Sequence, residues 1–426
     1  MDSILSDSNK TFLQQTIEAA QQCVMCGLCS KDCPTYNFHR KEPESPRGRI
    51  ALVAALAKGE LDPAEANYEA LTDCLGCRQC EEICPSKVKY HDIWTAGLRI
   101  MREKGPGHSK SIARSTINSS KKRDWLRKSL LFYQSSGLQW LAKHSGSLKA
   151  LGLEHIDSSL PKISANGKLL SHYPAHIERK GRVNLFIGCV SDVLENGALQ
   201  ASIRVLNRCE YAVHVPKGQN CCGAMALHAG EHEEYLSLAR KNLDGFSQEQ
   251  LRLHPVLGLN SGCVATLKEY GAHEAELNNN GARKPGRFSS RIHDIIDFLN
   301  TRVDWGRHSI RRAEIKVAIH ESCSARNVLH NSTRIAELLG RIPGLTILPT
   351  EKGYSCCGAG GERMLKPDKM QLALRNQALD SLTREKPDII VSTNLGCSMH
   401  LAGGLSSNRQ QIEILHPVTL LDRYLA

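Results

Sequence analysis

The run CVMCGLCSKDCP occupies residues 23–34, and CLGCRQCEEICP occupies residues 74–85. Each has the form Cys-x-x-Cys-x-x-Cys-x-x-x-Cys-Pro. Two residues between successive cysteines let three sulfurs of one short turn converge on a common centre. This is the spacing by which thiolates hold a cubane of four irons and four sulfurs. Structural zinc sites instead show paired Cys-x-x-Cys units without a third cysteine two residues on. Two matching runs, each closed by proline, therefore read as a pair of 4Fe-4S sites.

The fourth cysteine of each run lies too far along to close its own site comfortably. In two-cluster ferredoxins that cysteine ligates the other cluster. On this rule Cys23, Cys26, Cys29 and Cys84 hold cluster 1, and Cys74, Cys77, Cys80 and Cys33 hold cluster 2. Crossing keeps the two centres close enough to exchange electrons. Around the runs the chain reads as helix: residues 12–22 as an amphipathic helix, Ile50 to Lys58 as a buried one stopped at Gly59, and another from Pro63. Residues 19–104 are thus expected to form an α-helical ferredoxin domain behind a leader of residues 1–18. Arg47 and Arg49 flank Gly48 in a loop and are expected to be solvated, as charged loop residues usually are. His91 is expected to have a structural role.

Aromatic residues make up 5% of the chain, so its cores must be built mainly from aliphatic side chains. The 17 cysteines would suggest disulfides in an exported protein. The first residues, MDSILSDSNK, lack the basic and apolar regions of a secretory signal. Iron–sulfur thiolates also need a reducing interior, so a cytoplasmic location is expected. No run approaches the ~18 apolar residues of a membrane span. Of the net charge of +11, nearly all lies between Gly105 and Arg182, where 14 Lys or Arg face four acidic residues. Gly105-Pro106-Gly107 breaks the chain before this basic helical linker, residues 105–181. Within it Lys121, Lys122, Arg123, Arg127 and Lys128 flank Trp125, Leu126, Phe132 and Tyr133. That pattern suits a helix lying on the inner face of the cytoplasmic membrane, and equally a connector packed on a neighbouring domain or partner. No base-reading fold is visible, which leaves nucleic acid out.

Beyond residue 182 the chain repeats itself. Cys189 and Cys323 each follow a short apolar strand, at residues 183–187 and 316–319. Cys221-Cys222-Gly223 matches Cys356-Cys357-Gly358, and Cys263 matches Cys397. The offsets are 134, 135, 135 and 134 residues, so constant that they argue for a duplicated domain. Strands alternate with helical stretches such as 231–243 and 368–384, so each copy should be a small α/β unit, at residues 182–305 and 312–426. The cysteines fall at strand ends and helix starts, where an open α/β sheet gathers ligands. The fold class is therefore α+β multidomain, a helical two-cluster ferredoxin domain followed by two α/β Cys-Cys-Gly repeats. Gly358 to Gly361 lacks the spacing of a phosphate loop. Cys209 stands outside both sets and reads as a small core hydrophobe.

With both halves laid out, the chain resembles the glycolate oxidase iron–sulfur subunit family over nearly its whole length. The resemblance rests on CVMCGLCSKDCPTY, SPRGRI, CLGCRQCEEICPSKVKYHD, SGCVATLKEYG, SCCGAGG and TNLGCSMHL. Iron–sulfur subunits of anaerobic glycerol-3-phosphate dehydrogenase and heterodisulfide reductase share the layout. The resemblance implies a complex in which FAD-containing flavoprotein subunits oxidise a small 2-hydroxy acid, glycolate to glyoxylate, and this subunit passes electrons to a quinone or other membrane acceptor. It implies no catalytic residue here and no activity in isolation. D-lactate or glycerol-3-phosphate oxidation, or heterodisulfide-type thiol chemistry, are the alternatives. In heterodisulfide reductases each Cys-Cys-Gly motif ends in Cys-x-x-Cys. Here the ends are Cys263-Val-Ala-Thr266 and Cys397-Ser-Met-His400, so the last cysteine is missing both times. A single further iron–sulfur cluster, a zinc, or free thiols stay open at Cys189, Cys221, Cys222, Cys263, Cys323, Cys356, Cys357 and Cys397.

Overall fold

The computed structural model describes residues 7–65, 68–105, 111–164, 168–175, 180–249, 251–278, 283–350, 356–408 and 410–426. Pro106 and Gly107 of the expected chain break, and part of the helix expected from Pro63, lie outside the described residues. The chain divides into two compact units. One comprises residues 1–110, 225–235 and 360–362, and the other comprises the rest.

The first unit is helical. Its long helices are Asp7–Gln21, Pro46–Lys58 and Tyr90–Lys104, with short ones at Pro34–His39, Tyr68–Thr72 and Gln79–Glu82. Helix Pro46–Lys58 shows why this stretch folds locally. Ser45 caps it by accepting from the Gly48 amide, Pro46 occupies the first turn, and Gly59 ends it in the left-handed region. Ile50, Val53, Leu56 and Ala57 then face Ile93, Trp94, Leu98 and Met101 in one apolar core, against which Cys23, Cys74, Cys80 and Cys84 pack. The cysteine runs are thus loops with single helical turns, at Leu28–Ser30 and Gln79–Glu82, held on a helical base.

The second unit holds two sheets. The first has the order β1-β3-β2-β4-β5, with β1 His172–Tyr173, β2 Gly181–Phe186, β3 Tyr211–His214, β4 Val256–Gly258 and β5 Ile292–Asp294. Only β1 is antiparallel in this sheet. The second sheet is parallel, in the order β7-β6-β8-β9, with β6 Lys316–His320, β7 Thr346–Ile347, β8 Ile389–Ser392 and β9 Glu413–Leu415. Strands β4 and β8 are buried along their whole length, and β2 and β6 along all but their first residues, as parallel strands covered on both faces are. One core runs through both sheets, including Val183, Leu185 and Leu257 with Val317, Ile319, Val391 and Leu421. Cys209 lies within it, fully buried.

The repeats are also joined by polar contacts where their cysteine-bearing helices begin. Asn260, Ser322 and Asn394 cap the helices that carry Cys263, Cys323 and Cys397. The Ser261 hydroxyl lies 2.9 Å from that of Ser322 and 2.7 Å from that of Ser324, and the Ser261 amide donates to the Thr393 carbonyl at 2.9 Å. Arg204 and Arg208 of repeat 1 both pair with Asp422 of repeat 2, at 2.6 and 2.8 Å.

One cap in this unit is titratable. Asp294 accepts from the Ile296 amide at 2.9 Å through Oδ1, while its buried Oδ2 has no partner among the described residues. Burial pushes this carboxyl up to about 7, against the pull of its amide bonds. An unfolded Asp releases its proton near pH ~4. Between about pH 4 and 7 the folded chain therefore keeps a proton that the unfolded chain gives up, and this site's contribution to stability falls as pH rises. Asp294→Asn keeps the cap acceptor. Its melting temperature by calorimetry should exceed wild type by several degrees near pH ~8, with the advantage fading towards pH ~4.

Candidate iron–sulfur centres

In the first unit the eight cysteines of the two runs line two adjoining cavities. One is bounded by Cys23, Cys26, Cys29 and Cys84, with Arg47, Pro46, Val88 and Tyr90, and Cys80 at its wall. The other is bounded by Cys33, Cys74, Cys77 and Cys80, with Thr35, Arg49 and Tyr90. The cavities enclose about 440 and 310 Å³ including the space at their mouths. The lining of each offers thiols from both runs and no carboxylate, a donor set that fits a thiolate-held iron–sulfur cluster.

The electrostatics suit the same purpose. Burial pushes the Cys29 thiol up, while the backbone amide of Arg47, at the start of helix Pro46–Lys58, opposes that rise. Burial also raises Cys74, against Arg49, the Tyr90 hydroxyl at 3.5 Å and the Gly76 amide at 3.5 Å. Burial and the neighbouring thiols Cys74 and Cys33 push Cys80 well up. Crowded buried thiolates repel one another, so a bound cationic centre is what would hold them all deprotonated.

Arg47 and Arg49 lie in the first turn of helix Pro46–Lys58 and not in a loop, and only Arg49 departs from the expected solvation. Arg47 remains partly exposed, forked onto Glu42 at 2.6 and 3.2 Å, with Nη1 donating to the Met25 carbonyl at 3.2 Å. Arg49 is not solvated: it is 1% exposed. Its guanidinium donates to the Ala70 carbonyl at 2.5 Å, Thr35 Oγ1 at 2.9 Å, the Glu44 carbonyl at 2.7 Å and Glu44 Oε2 at 2.6 Å. Burial would lower its pKa, but Tyr90, Cys74, Cys33 and Glu44 together hold it above the ordinary arginine value. Gly48 separates the two because a Cβ there would stand 2.1 Å from the Glu42 carbonyl oxygen. His91 pairs with His228, their Nε2 atoms 3.1 Å apart, beside Trp94.

In the second unit each repeat gathers its own cysteines. In repeat 1 the thiols of Cys189, Cys221, Cys222 and Cys263 contact one another in series. Contact with Cys221, and then burial, push the Cys189 thiol well up. In repeat 2 the Cys357 and Cys397 sulfurs lie 2.8 Å apart. That contact, with help from His320, pulls Cys357 well below its ordinary value despite burial and pushes Cys397 well up. Cys323 and Cys356 add to the rise of Cys397. The Gly358 amide donates to Cys356 Sγ at 3.4 Å. The carbonyls of Gly358 and Ala359 accept from Gln371 Nε2 at 2.9 and 3.1 Å.

Sequence reasoning missed His320. It stands three residues before Cys323, at the end of β6, and its counterpart one repeat earlier is Phe186. A comparison of the repeats away from their cysteines would have found it. The basic linker carries several apolar residues outward: Trp125, Phe132, Trp140, Leu141 and Leu151 are 55–70% exposed. No helix among the described residues is long and apolar enough to cross a membrane.

Comparison with known proteins places these centres in context. Residues 19–88 match the family model of a 4Fe-4S dicluster domain, and residues 183–268 and 317–402 each match that of a cysteine-rich domain. The probable glycolate oxidase iron-sulfur subunit of Bacillus subtilis (strain 168) is 31% identical over 90% of this chain and 88% of its own length. The glycolate oxidase iron-sulfur subunit of Escherichia coli (strain K12) is 30% identical over 92% of each chain. Lactate utilization protein A 2 of Bacillus cereus (strain AH820) is 23% identical over 57% of this chain and 99% of its own length. A dicluster domain followed by a duplicated cysteine-rich domain, with this identity along nine-tenths of the length, shows that the chain belongs to the glycolate oxidase iron–sulfur subunit family.

Proposed function

We propose that this chain is the electron-transfer subunit of a flavin-dependent 2-hydroxy-acid dehydrogenase complex, taking electrons from FAD-bearing partner subunits and passing them to a quinone or other acceptor. The observation that carries the reading is the pair of adjoining cavities, each lined by cysteines of both runs. Cluster 1 is assigned to Cys23, Cys26, Cys29 and Cys84, and cluster 2 to Cys74, Cys77, Cys80 and Cys33. Bound there, the clusters would supply one-electron carriers, and the flavin of a partner would split the electron pair released by substrate. Tyr90 and Arg49 stabilise the sulfur charge at cluster 2, and the Arg47 amide does so at cluster 1. Glycolate is the substrate favoured by the relatives' names, and D-lactate is the alternative that the lactate utilization likeness supports.

The test uses the chain anaerobically, alone and with its flavoprotein partners. Glycolate should bleach its visible absorbance only when the partners are present. Bleaching of the isolated chain by glycolate would refute the assignment.

The exposed face of residues 125–151 is proposed to lie on an anionic membrane surface. Lys121, Lys122, Lys128, Lys143 and Lys149 are exposed and lie near its tryptophans in sequence. Each basic residue near such a surface contributes about 1 kcal/mol, and buried tryptophan adds to this. Trp125→Glu with Trp140→Glu should weaken co-sedimentation with phosphatidylserine vesicles by more than about tenfold. Unchanged partitioning would remove the membrane from this reading.

A further inference from the structure

We propose that the second cysteine-rich repeat binds one zinc ion through His320, Cys357 and Cys397, with a neighbouring thiol, Cys323 or Cys356, as the fourth ligand. This assignment goes beyond the electron-transfer reading and does not depend on it.

Three observations carry it. The ring nitrogen of His320 and the sulfurs of Cys357 and Cys397 all lie within 4.8 Å of one another, and all three residues are buried. Ligands of a single tetrahedral zinc stand about 3.3–3.8 Å apart, given Zn–S of about 2.3 Å and Zn–N of about 2.0 Å. The sulfurs that hold a cubane sit on different irons and stand farther apart. Cys357 and Cys397, at 2.8 Å, already stand inside that spacing and would part by about 1 Å to share one ion.

The histidine is also oriented as a ligand. Its Nδ1 lies 3.1 Å from Ser392 Oγ, which also accepts from the Asn394 amide at 3.3 Å. With the Nδ1 proton donated to Ser392, the Nε2 lone pair is left for a metal. A metal-bound imidazole is held in this way by an outer partner.

The third observation separates this histidine from a core residue retained for packing. His320 pairs with Ser392 across β6 and β8, and the corresponding pair in repeat 1 is Phe186 with Gly258 across β2 and β4. The imidazole and its hydroxyl partner occur together in repeat 2 and are replaced together in repeat 1. Gly258 leaves no room for a serine, since a Cβ there would meet Val264 Cγ2 at 2.7 Å. The two repeats therefore present different donors, all sulfur in the first and mixed nitrogen and sulfur in the second. Neutral imidazole with thiolates is the donor set of zinc sites.

The test takes the full chain, purified anaerobically and supplied with Zn2+. Zinc should bind at about one per chain, and its X-ray absorption should show a shell of sulfur with one nitrogen. His320→Ala should weaken zinc about 10–100-fold or more against a competing chelator while iron and sulfide stay unchanged. His320→Cys should restore zinc with an all-sulfur shell, which separates lost ligation from misfolding. Wild-type absorption needs no variant and stands if either variant fails to fold. An all-sulfur shell in the wild type, no zinc uptake, or a Cys357–Cys397 disulfide in the anaerobic protein would overturn the assignment. So would iron and sulfide falling together with zinc in His320→Ala.

Discussion

Combining Cys26→Ala with Cys84→Ala is expected to remove no more iron than either change alone, about four per chain, whereas Cys26→Ala with Cys33→Ala is expected to remove about eight. The two doubles share one substitution and differ only in which run's last cysteine is lost. If Cys84 closes the site of the first run, losing it after Cys26 costs nothing further, because that cluster is already gone. If each run closed its own site, the outcomes would exchange. Cys26 is the suitable common member because it is the exposed one of the eight, so its loss disturbs little packing. Cys80 is unsuitable, since it lines both cavities. Iron, acid-labile sulfide and the electron paramagnetic resonance signals of the reduced protein give the count. Either double should also stop electron flow from the flavoprotein partners, so activity alone cannot distinguish them and the iron count decides.

What the sequence disclosed and what it hid divide along the range of the interaction. The cysteine runs are legible because ligands two residues apart must share a centre, whatever surrounds them. The duplication is legible because four cysteine offsets agree, and strands β2 and β6 follow from short apolar runs. Arg49 escapes a sequence reading because nothing in the residues beside it says that this turn of helix Pro46–Lys58 is buried. Its acceptors are Thr35, Glu44 and Ala70, and the Ala70 carbonyl arrives from 21 residues away. His320 was missed for a related reason. Its partner Ser392 lies 72 residues on, and only the pairing of β6 with β8 brings them together. The outward face of the linker helix Ser120–Ser135 was half legible. Its basic and aromatic composition was plain, but the exposure of Trp125 and the burial of Arg123 against Asp192 depend on tertiary packing.

Arg49→Met should destabilise the chain by about 3–5 kcal/mol, the range for removing one partner of a buried ion pair. The loss has three parts. Glu44, itself buried, keeps a carboxylate with its arginine gone. The carbonyls of Ala70 and Glu44 and the hydroxyl of Thr35 lose a shared donor. The loop before helix Pro46–Lys58 then loses its tie to the segment ahead of Cys74. Arg49→Lys should recover the charge but only part of the stability, because an ammonium cannot reproduce the planar fork. Adding Glu44→Gln to Arg49→Met should return part of the loss by removing the stranded charge. Denaturant midpoints of the anaerobic chain, with hydrogen exchange at residues 45–58, check these orders. Arg49 also acts on the centre it borders, since its positive charge pulls the Cys74 thiol down. With that charge removed, an added electron at cluster 2 is less stabilised, so its reduction potential should fall by roughly tens of millivolts. A redox titration followed by electron paramagnetic resonance should show cluster 2 moving and cluster 1 nearly still. Equal shifts at both clusters, or none at either, would mean that Arg49 serves only to hold the loop.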